Sequence, residues 1–259
     1  MKFVDTHAHY IHRKYNSDRD FLLNDMLKYD LAKIIECGTD TKSNRLVEKL
    51  TRKYDNIYGV VGYFPTSVSE LENEQTMSEF KYLLEHKKII GVGEIGLDYY
   101  HDKTKDASGL QAKWFREQLE IAKEFGLPVC IHSRDAEVDT MKILREFGPY
   151  KGVIHCYAYG PENIKELVEL GYYFGVGGTS TYLNNTDLRD AIKQMPLNRI
   201  LLETDAPYLS PRQVRRERNN SSYIKYVITE ISQLKGVSED IIIKRTNQNV
   251  TDLYGIELN

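Results

Sequence analysis

Eight short apolar runs alternate with amphipathic helical runs along the chain, and nothing else in the sequence restricts the fold as much. The runs are KFVDTHAH (2–9), AKIIECGT (32–39), IYGVVGYF (57–64), IIGVGEIG (89–96), LPVCIHS (127–133), GVIHCY (152–157), YYFGVGG (172–178) and RILLETD (199–205). They are rich in Val and Ile and nearly continuously apolar, as strands covered on both faces must be. The segments between them have helix patterns with recognisable ends. Leu110, Trp114, Ile121 and Phe125 line one face of LQAKWFREQLEIAKEF, after which Gly126 supplies a left-handed cap and Pro128 forbids continuation. Pro161 opens and Gly171 closes another helix. Eight strand–helix units fit an α/β fold of the (β/α)8 TIM barrel type, with SEDIIIKRTNQNVTDLYG (238–255) adding C-terminal helices outside it. An open doubly wound sheet is the runner-up. No linker, repeat or composition shift marks a second domain, so residues 1–259 are expected to form one.

The ionisable residues fall where such a barrel would use them. Strand one ends in His7 and His9, strand four carries Glu94, strand five His132 and strand six His155, and strand eight carries Glu203 and Asp205. In an extended strand residues i and i+2 share a face, so His7 and His9, just beyond Asp5, can aim at one point. A parallel barrel brings all strand C-termini to one mouth. Four histidines and two or three carboxylates there are unfavourable to bury unless a cation compensates them, and a divalent metal is the simplest cation. The stretch GVGEIG (91–96) matches a dinucleotide-binding fingerprint by letters. It does not open into a helix, however, and Glu94 would repel a pyrophosphate, so its glycines are read as easing close packing.

Bulk properties narrow the function further. Apolar residues are 41% and charged residues 28%, as in an ordinary globular protein, and no run is long enough to span a membrane. The N-terminus reads directly into a strand, so no targeting segment is expected there. Cys37, Cys130 and Cys156 lie in apolar runs and are expected as buried reduced thiols in a cytoplasmic protein. A net charge of −3 provides no general attraction for polyanions, so a nucleic-acid partner would need a local basic patch. RQVRRER (212–218) after strand eight is such a patch. Arg215, Arg216 and Arg218 in it, with Arg134, are candidate phosphate ligands. Tyr99, Tyr100, Tyr157 and Tyr159 follow strand ends, but among 19 tyrosines such placement carries little weight. His12, His86 and His101 are read as surface residues.

The segments DTHAH (5–9), GEIGLDYY (93–100), IHSRDA (131–136), HCYAYG (155–160) and ETDAPYL (203–209) together resemble the TatD family of metal-dependent deoxyribonucleases, within the amidohydrolase-like TIM barrels. GEIGLDYY and ETDAPYL are the specific segments. The resemblance implies one divalent ion (Mg2+, Mn2+ or Zn2+) held by His7, His9, Glu94 and Asp205. It implies a second on Glu94, His132 and His155, with Glu94 shared, and Asp205 acting on the attacking water. It also implies DNA as substrate and 3′ to 5′ exonuclease action. No membrane partner is expected, since no apolar run is long enough to span one, and no protein partner is expected. A metal-dependent hydrolase of a small ester, amide or phosphoester is the alternative, since the ligand set permits it. The pattern departs from the family at Tyr10 and Ile11, where Leu-Asp is common, and at Phe64 and Thr66, where two histidines often stand. It departs again at RNNS (218–221), where Arg-Asn-Glu-Pro is expected. The histidine ligands also need an orienting partner on their second nitrogen, for which Asp135 and Glu203 are candidates.

Overall fold

The computed structural model describes residues 1–29, 31–102 and 109–258. β1 (Phe3–Ala8), α1 (Arg19–Tyr29), β2 (Leu31–Cys37), α2 (Thr41–Lys53), β3 (Ile57–Val61) and α3 (Glu74–Leu84) come first. β4 (Ile89–Asp98), α4 (Leu110–Phe125), β5 (Val129–Arg134), α5 (Glu137–Phe147) and β6 (Gly152–Ile154) follow. Then come α6 (Ile164–Glu169), β7 (Tyr172–Val176), α7 (Thr186–Gln194), β8 (Ile200–Leu202), α8 (Ile224–Lys235) and α9 (Glu239–Tyr254). The strands lie in chain order, β1 to β8, in one sheet. With helices between them, this is the order of a (β/α)8 barrel, and α8 and α9 are the extra C-terminal helices the sequence announces. No helix among the described residues is long and apolar enough to cross a membrane.

Contacts gather the chain into two compact units. The first comprises Met1–Glu36, Cys156–Val168 and Tyr173–Asn259. Within it β1 runs parallel to β2, with Phe3 opposite Leu31 and Ala8 opposite Glu36. β7 runs parallel to β8, with Val176 opposite Leu202, and Ala8 forms an isolated bridge to Ala206. α9 packs on β1 and β8, and α8 on β8, α7 and α9. The shared core includes Val4, Val176, Ile200, Leu201, Ile231 and Ile242, all buried.

The second unit comprises Cys37–His155 and Glu169–Tyr172. Here β3, β4, β5 and β6 are parallel neighbours in that order. α2 packs on β3, α4 on β4, and α5 on β5 and α4. α4 spans the expected residues and ends on Gly126 at φ 65°, with Leu127 N–H closing back on the Ala122 carbonyl. Trp114 and Ile121 face inward as expected, whereas Leu110, at the helix start, is exposed. Gln118 of α4 is buried and clamps the Tyr63 backbone, accepting its N–H at 2.8 Å and donating to its carbonyl at 3.1 Å.

Three local features set the stage for the chemistry. Gly96 sits at φ 141°, and a Cβ there would meet the His132 carbonyl oxygen at 1.9 Å, so this glycine lets β4 and β5 approach beside a histidine. That is the packing role expected for GVGEIG. β6 stops at Ile154 and β8 at Leu202, earlier than the apolar runs suggest, so His155, Glu203 and Asp205 occupy the turns that follow. Cys156 at φ 46° and Asp205 at φ 57° explain the early stops, because a strand cannot hold a left-handed residue. None of the three cysteines forms a disulfide among the described residues. Cys37 and Cys130 are buried as expected, whereas Cys156, in its turn, is only half-buried.

Candidate metal centre

In the first unit the ends of β1 and β8 are joined by backbone hydrogen bonds. Asp205 N–H donates to the His7 carbonyl at 2.9 Å, and His9 N–H donates to the Ala206 carbonyl at 2.8 Å. Beneath them Asp5 is fully buried. Its Oδ1 accepts the N–H groups of His7 (3.2 Å) and Thr204 (3.1 Å), and its Oδ2 accepts the hydroxyls of Thr204 (2.7 Å) and Ser221 (2.6 Å). Burial pushes the Asp5 carboxyl up to about 6, against the lowering effect of those hydrogen bonds. Asp5 is therefore a strut that fixes His7 to the β8 turn.

On this strut His7, His9 and Asp205 converge. His7 Nε2 and His9 Nε2 are 3.0 Å apart, and Asp205 Oδ1 lies 3.2 Å from the second and 3.8 Å from the first. Both histidines are buried and their rings meet edge-on. Ligand atoms about 2.1 Å from a common ion are separated by roughly 3–3.5 Å, and two of the three separations fall in that range with the third, 3.8 Å, just beyond it. Two buried imidazole nitrogens facing each other and one carboxylate oxygen are a group that a shared cation would compensate. This donor set fits a divalent metal.

In the second unit Glu94, His132 and His155 offer ligand atoms that all lie within 4.8 Å of one another. Glu94 Oε1 is 2.8 Å from His132 Nδ1 and 3.9 Å from His155 Nε2, and the two rings are near parallel with centroids 6.5 Å apart. His132 thus faces this cluster through Nδ1. Its other nitrogen, Nε2, donates to Asp98 Oδ2 at 3.0 Å. The same oxygen takes His101 Nδ1 at 2.8 Å, and Oδ1 takes the His101 backbone N–H, also at 2.8 Å. Burial works to raise the Asp98 carboxyl, but the hydrogen bonds from His132 and His101 outweigh it and hold it well below the ordinary carboxylate range. Burial likewise works to lower His132, but Asp98 and Glu94 outweigh it and raise its pKa.

Asp98, which the sequence reading missed, is therefore the orienting partner of His132. Glu94 and Asp98 both lie on β4 and both reach His132, a partnership that the strand pattern alone does not announce. Of the two orienting candidates, Glu203 Oε1 accepts the Cys156 backbone N–H at 2.6 Å, which braces the turn after β6. Asp135 sits at φ 55° directly after β5. His101, read as a surface residue, is about half exposed but tied to Asp98.

The arginines divide. The Arg134 guanidinium stacks 3.7 Å from the centroid of Tyr100, a ring that is 54% exposed, and Arg215 stacks 4.8 Å from Tyr182. Arg216 is exposed. None of these three pairs with a carboxylate among the described residues. Arg218 does. Its fork grips Asp18, it donates to the Lys14 carbonyl, and its face lies 4.5 Å from Tyr15. Arg218 therefore braces the first unit rather than standing open for phosphate. Tyr99 and Tyr157 are buried, leaving Tyr100 as the most open of the four strand-end tyrosines.

Comparison with known proteins places the chain in a family. Residues 4–255 match the family described as TatD related DNase. The metal-dependent hydrolase YabD of Bacillus subtilis is 34% identical over 255 residues, covering 97% of this chain and 98% of its own. The metal-dependent hydrolase YcfH of Escherichia coli is 30% identical over 262 residues, covering 99% and 97%. The crystal structure of YjjV, a TatD homologue from Escherichia coli, superposes with a TM-score of 0.87 at 28% identity over 98% of both chains. The chain belongs to the TatD related DNase family.

Proposed function

We propose that this TatD-family metal-dependent hydrolase cleaves phosphodiester bonds at DNA ends, as a 3′ to 5′ exonuclease. The observation that carries the reading is the facing pair of His7 and His9 nitrogens beside Asp205 Oδ1. The clustering of Glu94, His132 and His155 and the family's name support it. In this reading His7, His9 and Asp205 hold one divalent ion, and Glu94, His132 and His155 hold a second. Such ions neutralise phosphate charge and lower the pKa of water towards about 7.

The chain's own residues supply the rest. Asp205 is held by its backbone to His7, so its carboxylate stays aimed while it orients the attacking water and receives its proton. Asp98 fixes the His132 ring so that Nδ1, not Nε2, faces the cluster. Arg134 and Arg215 have their faces held by tyrosines and their N–H edges left for phosphate oxygens, and Arg216 stands beside Arg215. Three cysteines outside any disulfide among the described residues suit a reducing compartment, so the proposed location is the cytoplasm.

The test is a 3′-labelled DNA assay on metal-stripped protein reloaded with Mg2+, Mn2+ or Zn2+. Metal-dependent release of mononucleotides is expected. Asp205→Asn should lose about 10²–10⁴-fold in turnover while keeping an ion, whereas Glu94→Gln should lose occupancy first and recover partly in excess metal. DNA left intact by reloaded protein that hydrolyses small esters would refute the reading.

A further inference from the structure

We propose that the ring of Tyr208 is a stacking platform for the unpaired nucleobase at the 3′ end of a DNA strand, with Lys14 beside it to meet a flanking phosphate. The proposal rests on the phosphodiester reading above and adds the part of the substrate that the clusters themselves cannot recognise.

The argument starts from how Tyr208 is held. Its backbone N–H donates to the Asp205 carbonyl at 2.8 Å, and its own carbonyl accepts Asn219 Nδ2 at 2.6 Å. Asn219 is fully buried and uses the same amide group to hold the Thr204 carbonyl at 2.9 Å. Asp205 is in turn bonded to the His7 backbone. The ring's place beside His7, His9 and Asp205 is therefore set by hydrogen bonds of the main chain and not by burial of the ring.

The ring itself is left open. Tyr208 is 44% exposed, whereas Tyr10 and Tyr15 in the same unit are completely buried. The centroid of its ring lies 6.4 Å from that of His9 and 5.7 Å from that of His12, both edge-on. Lys14 Nζ stands 5.3 Å from the ring centroid. The Lys14 backbone is pinned by its N–H to His12 Nδ1 and by Arg218 at its carbonyl. A half-exposed aromatic ring on a firmly bonded main chain, with a cation over it and a buried donor cluster beside it, suits a ligand with a flat π-face and a nearby negative charge. A terminal nucleotide has both. An anion that draws Lys14 aside frees the face it covers.

Stacking on an aromatic ring is tolerant of sequence, because every base has a π-face. It requires that the base be out of the duplex, so single-stranded or frayed ends are the preferred substrates. From typical base–aromatic stacking energies, the ring should favour a base-bearing end by between about fivefold and a hundredfold.

The experiment compares two single-stranded oligonucleotides that differ only in the last residue, a nucleoside or an abasic tetrahydrofuran. Binding to the metal-free protein and kcat/KM of the Mn2+-loaded protein are measured for the wild type, Tyr208→Phe and Tyr208→Leu. The wild type and Tyr208→Phe should prefer the base-bearing end in both measurements. Tyr208→Leu should treat the two alike, with an unchanged thermal melt. A wild type indifferent to the terminal base, or a Leu variant that keeps the preference, overturns the platform. If the wild type cleaves both oligonucleotides equally well, only the platform fails. If it cleaves neither, the phosphodiester reading fails, and the binding measurement still decides whether the ring selects a base.

Discussion

Asp98→Asn removes one acceptor where three hydrogen bonds end. Oδ1 takes the His101 backbone N–H, and Oδ2 takes His101 Nδ1 and His132 Nε2. An asparagine has one carbonyl oxygen and one NH2, so whichever way it turns it fails either the backbone N–H or both imidazoles. A hydrogen bond to a charged group is worth about 1.5–3 kcal/mol. Loss of an orienting partner typically weakens metal affinity by about 10–100-fold, which is the same energy within error. Calorimetric Mn2+ titration should therefore show one class of site weakened by about 10–100-fold, the other unchanged. The pH dependence separates positioning from general damage. Metal must displace a proton from His132, whose pKa is raised because the hydrogen bonds to Asp98 and Glu94 outweigh burial, so affinity falls as pH drops below that value. Without the Asp98 charge His132 holds its proton less tightly, so the fall-off should move to lower pH even though the plateau is weaker. Undiminished affinity, or a fall-off that stays in place, would refute the assignment.

Glu36 is fully buried, with Oε1 accepting the Ile11 N–H at 2.8 Å and Oε2 without a hydrogen-bond partner among the described residues, and burial raises its pKa from 4.5 to about 7. A raised acid contributes stability below about pH 4.5 that is lost as pH rises through about 7. Glu36→Gln should abolish roughly 3 kcal/mol of that loss in the metal-free protein. Parallel stability curves of wild type and variant against pH would count against a buried, ionising Glu36. Arg134→Ala combined with Arg215→Ala should weaken single-stranded DNA binding and flatten the slope of log K against log salt by about 1–2, with metal content unchanged. Arg218→Ala should instead lower the melting temperature and leave that slope alone, because its fork is already filled by Asp18. A salt slope that responds to Arg218 and ignores the other pair would reverse the assignment.

The strands were legible because burial on both faces leaves a local mark, a run of Val, Ile and Leu bounded by Gly or Pro. The strand-end histidines and carboxylates were legible for a related reason. In a parallel sheet each marks the end of its own run, whatever its distance from the others along the chain. What does not leave such a mark is partnership. Asp98 and His132 are 34 residues apart, and nothing in either segment says that one holds the other. Arg215 and Arg218 share one basic run, yet one lies on Tyr182 and the other turns to Asp18, 200 residues away. Charge patterning sees the run and not the direction of each side chain.

The departures from the family pattern show the same limit most clearly. Tyr10 and Ser221 each look like drift when read alone, at opposite ends of the chain. In the structure they touch. The Tyr10 hydroxyl lies 2.8 Å from Ser221 Oγ and also accepts the Ser221 backbone N–H at 2.7 Å. Ser221 Oγ then donates to Asp5 Oδ2, whose other oxygen holds the His7 and Thr204 N–H groups. Ile11, the neighbouring departure, gives its N–H to Glu36. Phe64, where a histidine often stands, packs its ring 4.5 Å from that of His132. These substitutions therefore do not lie at a periphery that has loosened around a preserved core. In the first unit Tyr10 and Ser221 stand behind Asp5 and so behind His7, and in the second Phe64 lies against His132. Altering either Tyr10 or Ser221 alone removes the 2.8 Å contact between the two hydroxyls, while a remaining Ser221 Oγ keeps Asp5 and a remaining Tyr10 hydroxyl keeps the backbone N–H of residue 221, so the effects of the two changes should be coupled rather than additive.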